Sequence, residues 1–281
     1  MTDRAWHADG VLECVVNISE GRRPDVIATV AGAARNLLLD VHTDADHNRS
    51  VLTLALPDTQ AEEAVQAVTE TALRLIDVRQ HDGVHPRIGA VDVVPFVALE
   101  GSVPTDAVAA RNRFARWAGD ALALPCFLYG PERSLPDVRR WAFTPSLTPD
   151  TGPPRPHPSA GGVAVGSRPV LVAYNVWLDQ PDLARARRIA GELRSDTVRA
   201  LGLAVGDRVQ VSMNLVAPTT TGPAQAFDAV AAKVRVAGVE LVGLVPRAVL
   251  DAVPVHRWNE LDLAEDRTIE SRWEAAGLRG P

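Results

Sequence analysis

Apolar residues fall in short stretches along this chain, and each stretch is closed by a polar or turn-forming cluster. VLECVVNI (11–18) is apolar and rich in β-branched residues, which predicts a strand. Pro24 stands where a helix can begin, so residues 24–35 are expected to be helical. LLLDVH (37–42) and RSVLTLALP (49–57) read as strands on either side of the turn cluster TDADHN. Ala61, Ala64, Val65, Val68, Ala72, Leu75 and Ile76 recur at steps of three and four, one face of a helix, with Asp58 or Thr59 as its cap. IGAVDVVPFVAL predicts a strand, 104–122 a helix, and PCFLYG another strand.

Residues 144–169 break the pattern. TPSLTPDTGPPRPHPSAGGVAVGSRP is dense in Pro, Gly and Ser, and is expected to be a long loop or linker. The strand–helix pattern then begins again. PVLVAYNVWL (169–178) is a strand, about 181–201 a helix, and Gly206-Asp207 between two apolar runs signals a hairpin. A helix over about 223–237, a strand at VELVGLVP and a mostly helical tail over about 247–277 complete the reading. The order β-α-β-β-α-β therefore occurs twice, which is the split βαβ pattern of ferredoxin-like domains. The expected fold is α+β: two ferredoxin-like subdomains, 1–167 and 168–281, joined by the Pro/Gly loop, with a ligand cleft between them.

Composition narrows the class. The 281 residues are 46% hydrophobic and 23% charged, as in an ordinary globular protein, and the net charge of −6 argues against a nucleic-acid-coating surface. Cys14 and Cys126 lie inside apolar runs, as buried free thiols do. No long apolar span is present and the N-terminus, MTDRAWHADG, is polar, so a cytoplasmic protein without membrane contact is expected.

Candidate chemistry centres on HDGVHPRIGAVDVVPF (81–96). His81 and His85 stand four apart, but Gly83 and Pro86 interrupt any helix that could aim both at a metal, and no metal is expected. A histidine on a loop beside a strand can carry protons near neutral pH, and Arg87 can clamp a carboxylate. The alternative at this point is that His85 and Arg87 merely cap a turn. Asn48 and Arg49 form a second polar pair at the start of a strand, and Asn17 to Gly21 a third cluster at the end of one. Asn175 and Asn214 stand near the ends of apolar runs, where an amide can read a polar ligand or simply close the strand. No phosphate-binding glycine motif and no GxSxG elbow occurs.

Together these blocks resemble the formiminotransferase family. The resemblance is carried by ECVVNISEG (13–21), LLLDV with HNRSV (37–51), RLIDVRQHDGVHPRIGAVDVVPF (74–96), FLYG (127–130), TGP (151–153), GGVAVGSRPVLVAYNV (161–176), VQVSMNL (209–215) and LVGLVP (241–246). These blocks lie in family order and cover nearly the whole chain, without the cyclodeaminase part that some members carry. The resemblance implies transfer of a formimino group from N-formimino-L-glutamate to N5 of tetrahydrofolate, a step of one-carbon metabolism linked to histidine degradation. It implies tetrahydrofolate as co-substrate, small-molecule partners only, and a homodimer. Within HxGxHPRxG the catalytic histidine is the one before Pro-Arg, here His85. The folate segment corresponds to Gly152-Pro153 through Gly161, with Asn17, Asn48, Arg49, Asn175 and Asn214 as further ligand contacts. Three features differ from the family, one being a shortened segment between Tyr129 and Gly152. His42 stands where an acid usually follows LLDV, leaving Asp40 or Asp44 to supply that charge, and the folate loop adds Arg155 and His157. The alternatives kept open are a folate-dependent transferase with a formyl or another formimino donor, and a non-catalytic folate-binding protein.

Overall fold

The computed structural model describes residues 10–57, 61–83, 87–99 and 101–278. The expected cap at Asp58 or Thr59 and the catalytic candidate His85 with its neighbour Pro86 lie outside the described residues. The described chain through Arg168, together with 276–278, forms one compact unit, and Pro169–Ala275 forms a second.

In the first unit the elements run β1 (Leu12–Ile18), α1 (Pro24–Gly32), β2 (Leu38–Asp44), β3 (Arg49–Leu56), α2 (Glu62–Leu75), β4 (Val91–Ala98), α3 (Pro104–Leu122), β5 (Cys126–Tyr129), α4 (Leu135–Trp141) and β6 (Val163–Ser167). They build a mixed sheet in the order β2-β3-β1-β4-β6-β5. Pairing is antiparallel from β2 to β4, and parallel where β6 meets β4 and β5. Alternation along the strands sends Cys14, Val16, Leu52, Leu54, Phe96 and Val165 into a core shared with α1, α2 and α3. The opposite face carries a smaller cluster of Phe127, Tyr129 and Val138, closed by Phe143 edge-on to Phe127 at 4.8 Å.

The second unit runs β7 (Val172–Leu178), α5 (Leu183–Leu193), β8 (Val198–Val205), β9 (Arg208–Leu215), α6 (Pro223–Ala231), β10 (Val236–Val242), α7 (Arg247–Asp251) and α8 (Ile269–Ala275). Its antiparallel sheet has the order β10-β7-β9-β8. Gly206-Asp207 turns the β8–β9 hairpin, with Val205 opposite Arg208 and Gly206 at φ 60. Tyr174, Val176, Ile189, Val211, Met213 and Leu241 fill its core. The Tyr174 hydroxyl donates to the Leu261 carbonyl at 3.0 Å, so the tail is stitched under the sheet. The first four strands of unit one and the four of unit two share one arrangement: second, third, first, last.

Several expectations are corrected. The Pro/Gly-rich stretch is no free linker. It folds back on the first unit and ends as β6, between β4 and β5. That strand was hidden because its residues are small. A Cβ on Gly166 would lie 2.0 Å from the Tyr129 ring, so only glycine lets the ring rest across the strand pair. Helix α4 was also missed, although Ser134 and Asp137 cap it reciprocally. The helix expected over about 181–201 stops at Leu193, because Ser195 turns the chain by accepting from the Thr197 and Val198 amides, and β8 follows. Helices α1 and α6 end at Gly32 and Ala231, earlier than expected, and the tail holds only short helices.

Gly166→Ala is expected to cost about 1–3 kcal/mol through overpacking, read as a lower urea midpoint at unchanged slope. An unchanged midpoint would contradict the tight ring contact.

Candidate functional site

The polar clusters singled out in the first half of the sequence converge. At the end of β1, Ser19 donates its amide to the Ala90 carbonyl and its hydroxyl to the Gly89 carbonyl, both at 2.8 Å, binding the β1 exit to the strip ahead of β4. Glu20 is buried and accepts the amides of Arg22 and Arg23 at 2.8 and 3.0 Å, and the Arg23 side chain at 2.5 Å. Burial pushes its pKa up, but these donors outweigh burial and hold it below the ordinary value.

Between β2 and β3 the chain turns on Asp44. Its carboxylate accepts the Asp46 and His47 amides at 2.8 Å each and meets His47 Nδ1 at 2.5 Å. Burial pushes the Asp44 carboxyl up, but the His47 side chain and these amides bring it down to about 2. Asp44 is thereby committed to the turn. His42 stands on β2 opposite Val51, with Asp40 opposite Thr53.

Asn48 follows with φ 48, a left-handed conformation that asparagine tolerates better than most residues. Its side-chain oxygen accepts the Gly21 amide and its NH2 donates to the Asp82 carbonyl, both at 2.8 Å. Arg49 reaches across to the Asn17 side-chain oxygen, while the Asn17 NH2 donates to the Val15 carbonyl at 2.8 Å. Burial lowers the Arg49 pKa to about 10, against the pull of Asp92 and Asp44.

The next layer is the stretch around 81–92. His81 Nε2 meets the Asn48 carbonyl at 2.9 Å, and His81 Nδ1 meets the Arg87 guanidinium. Arg87 also donates to the Gly83 carbonyl at 2.7 Å. Burial, first, lowers the Arg87 pKa, opposed by Asp92 and Asp82. Asp92 is buried at the start of β4. It accepts the Ile88 amide and the Arg139 guanidinium from α4, each at 2.7 Å. Thus Gly83 and Arg87, on either side of residues 84–86, are joined to each other and to the β2–β3 turn.

Gly152 and Gly161 have φ 79 and 70, conformations that favour glycine. Gly152 packs against the Leu124 carbonyl, where an added Cβ would stand at 2.5 Å, and half-buried Pro153 follows. Gly161 pairs with His157 in both directions and bridges Gly89. The Ala160 carbonyl accepts the Ala90 amide at 2.9 Å and the Gly162 amide donates to Ile88 at 3.1 Å. A Cβ on Gly89 would lie 2.1 Å from the Gly162 carbonyl, so this crossing needs glycine. The end of the Gly152–Gly161 segment therefore clasps the residues directly after Arg87.

The site residues expected in the second unit form their own group. Asn175 on β7 and Asn214 on β9 share a sheet face, since Asn175 opposes Ser212 and Ala173 opposes Asn214. Asn175 donates to Glu240 at 2.9 Å, and Asn214 is exposed. Sequence reasoning missed the Asp44–His47 pair, the Asp92–Arg139 pair and the bridging place of His81. The turn cluster TDADHN was a signal for the first. The other two join residues too distant in sequence to be paired by inspection. Among the described residues no group of His, Cys, Asp or Glu is placed to hold a metal, and no helix is long and apolar enough to cross a membrane.

The profile of the formiminotransferase domain, N-terminal subdomain, matches residues 11–168. The chain is 35% identical over 272 residues to the glutamate formimidoyltransferase of Streptococcus pyogenes serotype M1, covering 86% of this chain and 91% of that protein. It is 31% identical to the glutamate formimidoyltransferase of Thermoplasma acidophilum, covering 95% and 98%. It is 32% identical to the formimidoyltransferase-cyclodeaminase of Sus scrofa, over 86% of this chain and 51% of that longer protein.

The Asp44–His47 turn makes a pH-dependent prediction. The carboxyl lies lower when folded than when unfolded, so its stabilisation is present above about pH 4 and is lost as pH falls toward 2. Asp44→Asn is expected to lower the denaturation midpoint at pH 7, with the gap to the parent protein closing between about pH 4 and pH 2. A gap that persists unchanged at the acid end would contradict the pairing.

Proposed function

The chain belongs to the formiminotransferase family, and from that premise we propose that it moves a formimino group from N-formimino-L-glutamate to N5 of tetrahydrofolate. The products are 5-formimino-tetrahydrofolate and glutamate. His85 is the proton carrier, Arg87 and Arg49 pair with substrate carboxylates, and Asn17, Asn48, Asn175, Asn214 and the segment from Gly152-Pro153 to Gly161 contact the ligands. Each unit is read as a ferredoxin-like subdomain, a reading supported by their common strand order.

The chemistry asks for one group that can take and return a proton. The N5 lone pair attacks the formimino carbon, and the C=N electrons move onto its nitrogen. His85 takes the N5 proton from the tetrahedral intermediate and delivers it to the glutamate nitrogen. The bond from that nitrogen to the one-carbon unit then breaks as the lone pair on the other formimino nitrogen re-forms the C=N bond, and glutamate leaves as the amine. An imidazole titrating near neutral pH suits both halves, and Arg87 and Arg49 suit two substrates that both carry carboxylates. Holding both reactants together removes much of the entropic barrier.

The observation that carries the reading is that Asn48 and Arg87 hold the two ends of the segment that contains His85, beside the Asn17–Arg49 pair on the neighbouring strands. A turn-capping role for His85 and Arg87 would not call for so many polar side chains from separate strands.

The test is turnover by the purified chain with formiminoglutamate and tetrahydrofolate, read as 5-formimino-tetrahydrofolate formed. His85→Ala is expected to lower kcat by about 10²–10⁴, while calorimetry still shows folate binding. A formyl donor or other formimino amines, run alongside, should turn over more slowly. Folate binding without turnover of any donor, or full activity in His85→Ala, would sink the reading.

A further inference from the structure

His81 has no part in the proton transfer just described, yet both of its ring nitrogens are held. Its two ring nitrogens face partners of opposite kind. Nε2 faces the Asn48 carbonyl, which can only accept, so Nε2 carries the hydrogen. Nδ1 faces the Arg87 guanidinium, which can only donate, so Nδ1 presents its lone pair. One neutral tautomer satisfies both contacts. The opposite tautomer would break both, and the imidazolium would set an N–H and a positive charge against Arg87.

The other contacts make this ring a joint between segments. The Asn48 carbonyl belongs to the residue whose side chain ties Gly21 to Asp82. Arg87, on the far side of residues 84–86, is held at once by His81 and by the Gly83 carbonyl. We propose that His81 is a positioning residue: as its neutral Nε2–H tautomer it fixes Arg87 against Gly83, and thereby sets the ends of the segment that carries His85. The proposal rests on the reading of His85 as the proton carrier.

The charges around the ring agree with a neutral state. Burial lowers the His81 pKa, and Arg87 lowers it further, while the Asn48 carbonyl and Glu20 favour the charged form without prevailing. Asp82 and Asp92 act on Arg87 from the neighbouring residue and from β4. Acidification through and below the ordinary histidine range, about 6.5, would therefore loosen the Arg87 contact.

Two measurements on the full chain test this. The first is ¹⁵N NMR of labelled histidine, with the His81 signal assigned by its loss in His81→Gln. The expected result is a neutral Nε2–H tautomer at pH 7, with protonation at lower pH than an ordinary histidine. An Nδ1–H tautomer, or a charged ring at pH 7, would overturn the proposal whatever the activity. The second compares His81→Leu with His81→Gln. Leucine offers neither contact, whereas the glutamine amide offers one donor and one acceptor and does not titrate. His81→Leu is expected to lower kcat by about 10²-fold, the scale of a small misplacement. His81→Gln should restore most of that loss and flatten the fall in activity from pH 7 to pH 5. Equal activity of the two variants would overturn the positioning role. Full activity in His85→Ala would instead remove the proton-carrier reading, and the NMR result would still decide how His81 holds Arg87.

Discussion

A left-handed asparagine is the constraint on which the polar half of the first unit hangs. Asn48, at φ 48, ends the β2–β3 turn so that Arg49 comes into register with Asp44 at once. That register sends the Arg49 side chain toward Asn17 on the neighbouring strand. The same residue spends its amide on Gly21 and Asp82 and its carbonyl on His81. One unusual backbone angle thus joins the β1 exit, the β2–β3 turn and the approach to β4. Aspartate at this position would lose the NH2 that reaches Asp82, and a β-branched residue would resist the angle itself.

The electrostatics follow the same economy. Each carboxylate in the cluster is answered by donors, from its own turn for Glu20 and Asp44 and from α4 as well for Asp92. Glu20 gathers the amides that start α1, Asp44 gathers those of its own turn, and Asp92 holds both the Ile88 amide and Arg139. A buried carboxylate without such partners would be costly, so each pairing also fixes where its strand end must lie. Burial lowers the pKa of both Arg49 and Arg87, which marks a site where positive charge is held partly out of water. An anionic ligand would be drawn to such charge more strongly than to the same residues on an open surface.

Much of this was legible in the sequence, and the failures have physical reasons. The β-branched runs that became β1, β3, β4, β7 and β9 announced themselves by composition and alternation, and Gly206-Asp207 announced its hairpin. The clusters at Asn17, Asn48-Arg49 and Arg87 stood out because each is polar at a strand end. β6 was hidden because a strand with glycine at 166 has no side chain there to alternate, and its tolerance for that glycine comes from Tyr129, far off in sequence. The start of β8 was read as helix because VRALGLAV holds Ala, Leu and Arg, good helix formers, and the sheet overrode that preference. His81 gave no sign of its place, because its partners are a backbone carbonyl and an arginine beyond the next turn.

The Pro/Gly-rich stretch shows why composition misleads about order. Proline narrows the unfolded ensemble, so a proline-rich loop with compatible angles gives up less entropy when it is fixed. The contacts that fix it here are specific. Asp150 accepts the Leu128 amide at 2.7 Å, Thr151 donates to Ala115 at 2.7 Å, and His157 and Gly161 pair with each other. The loop leaves the fold beside Leu124 and re-enters it beside Pro125 and Ile88, closing on itself. Its exposed residues at 154–156 are therefore carried on a base that is anchored at both ends. One of those anchors is the backbone directly after Arg87. The base of the loop and the start of the strip after Arg87 therefore share backbone hydrogen bonds, so the placement of one constrains the other.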